Sequence, residues 1–216
     1  MNRTAVALLG LAGGVQMVDP TISSIAFVEA SEDLGFSPSM AALAASVSTL
    51  ALAATVIATG AVADRLGRRR VFIAALLTAA AGNVIVAVGP TTPMYMGGRI
   101  IAGIGLGAVF GSAFAFVRDV AGEEMGKALG LFAALNGAVI VVGGLAGGAL
   151  AAWSWRLAFL VVPALCVLLA LASRSVLPDI QPLGAGRVGH RGCAVRSQQG
   201  RSRPHQPSES LPLASP

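Results

Sequence analysis

The sequence predicts an all-α integral membrane protein: six transmembrane helices over residues 1–177, then a disordered tail over 178–216. Three observations predict it. Of the 216 residues, 55% are hydrophobic and only 12% charged, where a soluble domain carries about 25% charge. Mean hydropathy is +0.77. The apolar residues fall into long runs separated by short charged or Pro/Gly segments. The 27 glycines and 5% aromatic content suit close helix packing in lipid better than a bulky soluble core.

A membrane-crossing helix needs about 20 mostly apolar residues. Runs of that kind lie at 5–28, 39–63, 71–89, 94–117, 127–151 and 156–174. Arg3 followed by an apolar stretch also has the outline of a signal peptide. Five further spans favour an uncleaved first helix. The second run has no charge from Leu34 to Ala63, and the sixth is the shortest, bounded by Arg156 and Arg174. Pro90 and Pro93 flank a tight turn between spans three and four, and Gly122 to Gly126 form a loop with Glu123 and Glu124. Trp153 and Trp155 are expected at a headgroup interface, where indole rings settle.

Lys and Arg near the helix ends set the orientation. Arg3, Arg65, Arg68, Arg69, Arg70, Arg118, Lys127 and Arg174 fall on one side; Arg156, Glu29, Glu32 and Asp33 fall on the other. The first side is therefore expected to be cytoplasmic, with both termini inside. The net charge of +5 is topogenic on this reading, and no nucleic-acid partner is expected. The lipid bilayer is the expected surrounding.

The segment 178–216 holds six of the eleven prolines and five arginines, without apolar periodicity. A regulatory or lipid-binding tail has this composition. So does the translation of a GC-rich gene in a shifted frame, which composition favours. Cys193, His190 and His205 lie there, and Cys166 lies in an apolar run, so neither a disulfide nor a metal site is expected. No phosphate-cradling loop, nucleophile triad or carboxylate pair occurs, which argues against an enzyme.

The segment Gly60–Arg70 reads G-A-V-A-D-R-L-G-R-R-R between two uncharged runs. Asp64 at a helix C-terminus faces the negative end of the dipole and needs cations, with Arg65 and Arg68 within a turn. Gly60 sits one turn earlier and allows a close neighbour; Gly67 permits chain reversal. A solvated, positive-inside anchor would account for the arginines alone. The whole pattern resembles the loop between the second and third helices of major facilitator superfamily transporters, where it acts as a conformational latch, braced partly against the opposite half. The resemblance implies a latch made of Gly60, Asp64, Arg65, Gly67, Arg68, Arg69 and Arg70.

Other motifs extend that resemblance over 1–177. Arg99 opens R-I-I-A-G-I-G-L-G, similar to the family's fourth-helix motif linked to proton coupling. A charge inside a bilayer faces a cavity or partner; a shallow arginine also snorkels to headgroups, and both readings stand. Gly103, Gly107 and Gly111 repeat every four residues as a packing stripe. Asp19 is the single charge inside span one, in V-D-P-T-I-S-S-I-A-F, which resembles the first-helix motif of drug:proton antiporters. Asp19 lies ~13 Å and Arg99 ~8 Å from the outer end at 1.5 Å per residue, close enough to pair if spans one and four are neighbours. A purely structural ion pair is the other reading of Asp19. Pro20 is expected to break the helix and free carbonyls.

Gly143, Gly144, Gly147 and Gly148 resemble the Gly-Pro-x-x-Gly-Gly run of antiporters, with Gly144 in place of the proline and Val139 in place of an earlier glycine. Trp155-Arg156-x-x-Phe159 followed by Pro163 is similar to the sixth-helix entry of the drug:proton branch. Gln16, Asn83 and Asn136 either line a cavity or bond between helices.

The resemblance implies a six-helix bundle built as two inverted three-helix repeats, half of the full fold, with the substrate held between two such bundles. It implies a proton-coupled exporter of drugs or small metabolites in the plasma membrane, needing no cofactor beyond the proton gradient. One bundle alone is expected to be inactive, its partner being a missing C-terminal half or a second copy. The alternatives are a half-size transporter working as a homodimer and a membrane-anchored interaction protein acting through its tail.

Overall fold

The computed structural model describes residues 2–177. The tail 178–216 lies outside the described residues, as do the readings that rest on it.

Six long helical segments follow in order. They are α1 (Arg3–Asp33), α2 (Pro38–Leu66), α3 (Arg68–Val88), α4 (Thr92–Ala121), α5 (Met125–Ala151) and a last span split into α6 (Trp155–Ala158) and α7 (Val161–Val176). Among the described residues five helical stretches are long and apolar enough to cross a bilayer, α4 and α5 counting as one because only a 3₁₀ turn, Gly122–Glu124, joins them. Gly122 turns the chain with φ +57°, a conformation open to glycine without a Cβ penalty. In that turn Lys127 donates to Glu124 at 2.9 Å and holds its carboxyl below the usual carboxylate range.

Local chemistry accounts for the ends. Asn2 caps α1 by accepting from the Ala5 N–H, and Ser37 caps α2 by accepting from Met40 N–H. Pro38 and Pro93 occupy first-turn positions, where a missing N–H costs nothing.

Two expectations about proline need correction. Pro20 does not break α1, which runs unbroken from Arg3 to Asp33. The carbonyl that Pro20 cannot serve is that of Gln16, four residues back; beside it the Thr21 hydroxyl donates to the Met17 carbonyl at 2.8 Å. The expected single helix over 156–174 is instead interrupted at Phe159 and Leu160. Pro163 explains it: the ring has no N–H to offer the Phe159 carbonyl four residues back and crowds it.

Glycines set which helices meet. Along α1, Gly10, Gly14, Val18 and Ile22 meet Phe132, Val139, Gly143 and Gly147 of α5 in the same order, so the two helices run parallel. A Cβ at Gly147 would sit 2.3 Å from Ile22, and one at Gly143 2.7 Å from Val18. Gly144 and Gly148 are looser, with ordinary contacts at 3.4 and 3.8 Å. The stripe Gly103, Gly107 and Gly111 lies against the Ser48, Leu52 and Val56 carbonyls of α2, where a Cβ would come within 2.2, 2.5 and 2.8 Å. Thus α2 and α4 are parallel too, while α3 packs antiparallel on α4 through Gly82, Gly98 and Gly105.

The α1–α5 and α2–α4 pairings exchange when residues of the first three helices are mapped onto the last three. So do α3–α4 and the packing of α6 and α7 on α1. This is the pairing of two three-helix repeats. Buried surface concentrates on α1 and α4. On α2 and α5, large apolar side chains such as Leu50, Ile57, Val142 and Leu145 stay exposed.

Candidate functional site: a buried ion pair and a charged end loop

Asp19 and Arg99 meet in the centre of the bundle. Arg99 Nη1 donates to Asp19 Oδ2 at 2.8 Å and Oδ1 at 3.0 Å, and both side chains are 2% exposed. Arg99 therefore does not snorkel. It stands about seven residues, or ~10 Å, inside α4, and turns inward because a carboxylate waits on the adjacent helix. Its Nε is buried without a hydrogen-bond partner, and its guanidinium carbon lies 5.7 Å from the Phe159 ring centroid.

An aromatic cluster closes the pair on one side. Tyr95, one turn before Arg99, packs edge-on against Phe36, Phe159 and Trp155 with ring centroids 5.4 to 6.2 Å apart. The Tyr95 hydroxyl neighbours Ser23 but completes no hydrogen bond. On the other side a cleft of about 280 Å³ opens between α1, α2 and α4, lined by Pro20, Ser23, Ser24, Phe27, Ala45, Thr49 and Arg99. A polar hydroxyl rim with one buried cation at its base can hold a small amphipathic molecule or an anion.

Trp155 is buried inside the protein. It is 3% exposed, its indole N–H donates to Asp33 at 3.3 Å, and Arg156 covers its ring at 4.3 Å. Trp153, by contrast, is 82% exposed. Arg156 also pairs with Asp33 at 3.0 Å and donates to the Ala87 and Gly89 carbonyls that end α3. One guanidinium thus ties three helix ends together and serves carbonyls that no helix N–H can reach.

The second charged group lies at the opposite end. Gly67 is the single residue between α2 and α3, with φ +92°, so the reversal rests on a residue without a Cβ. Arg68 then donates to Asp64 at 2.9 Å, and to Asp119 and the Ala115 carbonyl of α4. Arg65 makes no ion pair among the described residues. Beside Gly60 the space is open: a Cβ would meet nothing within 4 Å, and Gly60 lines a cleft of about 460 Å³ with Asp64, Arg68, Arg118 and Asp119.

Asp119 escaped the sequence reading, although it is the one carboxylate at that end of α4. Tyr95, Ser23 and Thr49 escaped it as well; Tyr95 and Ser23 stand one turn from Arg99 and Asp19, whereas Thr49 on α2 carried no such signal. Asn83 is buried in α3; its amide donates to the Ala79 carbonyl at 3.2 Å, and its Oδ1 has no hydrogen-bond partner among the described residues. Gln16 is buried in α1, and Asn136 lies beside Gly13 at the α1–α5 seam.

The model of the Major Facilitator Superfamily matches residues 7–209. The chain belongs to that superfamily. The match runs past the last described helix, further than the motifs reach. The superfamily chain is 29% identical over 200 residues to the uncharacterized MFS-type transporter YfiU of Bacillus subtilis, covering 91% of this chain and 38% of that one. It is 32% identical over 167 residues to the puromycin resistance protein pur8 of Streptomyces alboniger, covering 75% and 33%. It is 30% identical over 182 residues to the multidrug efflux pump LfrA of Mycolicibacterium smegmatis, covering 82% and 36%. The chain thus spans between a third and two-fifths of the length of these curated relatives. Members of the superfamily are multi-pass membrane transporters of small molecules, not enzymes, and the helices here suit that setting.

Proposed function

We propose that this chain forms the N-terminal six-helix bundle of a proton-coupled exporter of drugs or small metabolites, oriented in the plasma membrane with both termini cytoplasmic. The observation that carries the reading is the buried Asp19–Arg99 pair at the wall of the α1–α2–α4 cleft. Asp19 is the proton-carrying group and Arg99 its partner. When the carboxylate takes up a proton it loses the charge that holds the guanidinium. Arg99 is then free to rearrange toward the cleft, and pairing is restored when the proton leaves. A protein that alternates between these two arrangements couples proton movement to the shape of the cleft.

The Gly60–Arg70 segment is the latch. Asp64, Arg68 and Asp119 hold α2, α3 and α4 together at one end, and the open flank at Gly60 is where a second bundle braces. The exposed apolar faces of α2 and α5 present the remaining surface to that bundle. Transport needs both bundles, and the one described here is inactive by itself. A second copy of this chain is the alternative source of the other wall.

The test is drug efflux in inverted membrane vesicles containing this bundle together with the C-terminal bundle of a related exporter. Asp19→Asn is expected to abolish pH-gradient-driven efflux while membrane insertion stays normal. Undiminished proton-driven efflux by that variant refutes the coupling role. Efflux by this chain alone as a cross-linkable dimer replaces the missing-half reading with the homodimer.

A further inference from the structure

At the arginine-rich end, a groove of about 500 Å³ runs between α3 and α7. It is lined by Arg69, Arg70 and Arg174 together with Ile73, Ala74 and Leu77. We propose that this groove is a specific binding site for one anionic phospholipid, with the phosphate held by the three arginines and an acyl chain laid along α3.

Charge is the first support. Arg68, Arg99 and Arg156 all have carboxylate partners, but among the described residues no carboxylate pairs with Arg69, Arg70 or Arg174. Arg69 donates to the Arg174 backbone carbonyl, which holds the two helix ends together and keeps the guanidinium groups converged. Three cations in one groove repel one another unless an anion sits among them. The start of α3 adds to the field: no side chain caps its first turn, so free N–H groups and the positive end of its dipole lie beside Arg69 and Arg70.

The order of polar and apolar groups is the second support, and it distinguishes a lipid from a free phosphate. Arg70, Ile73, Ala74 and Leu77 fall at i, i+3, i+4 and i+7, a single face of α3. From Arg70 to Leu77 the face descends ~10 Å along the helix. Moving inward from the membrane surface, a ligand therefore meets guanidinium groups first and aliphatic side chains next. A phospholipid presents its phosphate and acyl chain in that order. A soluble phosphate has no use for the aliphatic half. The surface sits on α3 and α7, away from the Asp19–Arg99 cleft, so the site stands whether or not the chain exports anything.

The experiment is native mass spectrometry of the delipidated full chain in detergent, titrated with dioleoyl phosphatidylglycerol or dioleoyl phosphatidylcholine. One phosphatidylglycerol is expected to stay bound at collision energies that strip phosphatidylcholine. R70Q/R174Q is expected to weaken retention about thirtyfold, since each removes one cation at the phosphate. Ile73→Asn is expected to weaken it as well. R65Q/R118Q removes two charges at the same end but outside the groove, and retention should stay within about twofold. Equal retention of the two lipids by the unmodified chain overturns the proposal without recourse to any variant. Equal loss in R65Q/R118Q and R70Q/R174Q overturns it too, leaving a diffuse basic surface. Glycerol phosphate retained as firmly as phosphatidylglycerol, and indifferent to Ile73→Asn, would mean a free-anion site and not a lipid site.

Discussion

Asp19→Asn keeps the size and shape of the side chain and removes its charge. In the structure that leaves the Arg99 guanidinium at 2% exposure, with its Nε already unpartnered and Nη1 facing a neutral amide. Breaking a buried pair by removing one partner costs about 3–5 kcal/mol, because the surviving charge is left in a low-dielectric interior. Arg99→Gln should cost a similar amount for the opposite charge. The double variant strands neither charge and should lose less than the two singles together, by a coupling of about 1–3 kcal/mol. The assay is equilibrium unfolding of the detergent-solubilised chain in mixed micelles with sodium dodecyl sulfate, followed by tryptophan fluorescence, as a double-mutant cycle. Additive losses, with coupling near zero, would refute the pairing. Phe159→Leu separates the contributions further. It removes the ring 5.7 Å from the guanidinium carbon and should leave the Asp19–Arg99 coupling intact.

Other measurements probe the rest of the bundle. Gly107→Val places a branched side chain where a Cβ is already 2.5 Å from the Leu52 carbonyl. It should destabilise the α2–α4 contact by at least about 1–3 kcal/mol, whereas Gly148→Ala should be nearly silent in the same unfolding assay. Asp119→Asn should cost less than about 1 kcal/mol, since Arg68 and Asp119 are partly solvated, and the loss should shrink at high salt. The two tryptophans report separately: brominated lipid or iodide should quench the W155F variant, which keeps Trp153, much more than W153F, which keeps the buried Trp155.

The span count, the approximate limits of each helix and the turn at Gly67 were all legible in the sequence. Each depends on local chemistry: a run of apolar residues long enough to cross lipid, a capping residue, a glycine that accepts positive φ. That Asp19 and Arg99 lie close enough along their helices to pair was legible from residue count and rise, although α1 runs on to Asp33, beyond the expected end of the first span. The Gly103–Gly107–Gly111 and Gly143–Gly147 stripes announced close packing, though not their partners, and the equivalent role of Gly10 and Gly14 on α1 went unseen. That Trp155 is buried against its neighbours was not legible, because a tryptophan near a span end reads the same whether its ring points to headgroups or into another helix.

What the sequence by itself determined is therefore the class of protein and the order of its helices. Only the tertiary structure decided that α1 lies parallel to α5 and α2 parallel to α4, that Arg99 reaches Asp19 rather than the headgroups, that Arg68 bridges Asp64 to Asp119, and that Arg69, Arg70 and Arg174 share one groove. The physical reason is the solvent. In water, the apolar stripe of a helix points to its neighbours, so periodicity carries information about packing. In lipid, the face toward acyl chains is as apolar as the face toward another helix. The pattern along the chain then says that a helix crosses, and the shapes and charges of its partners alone settle which way it faces.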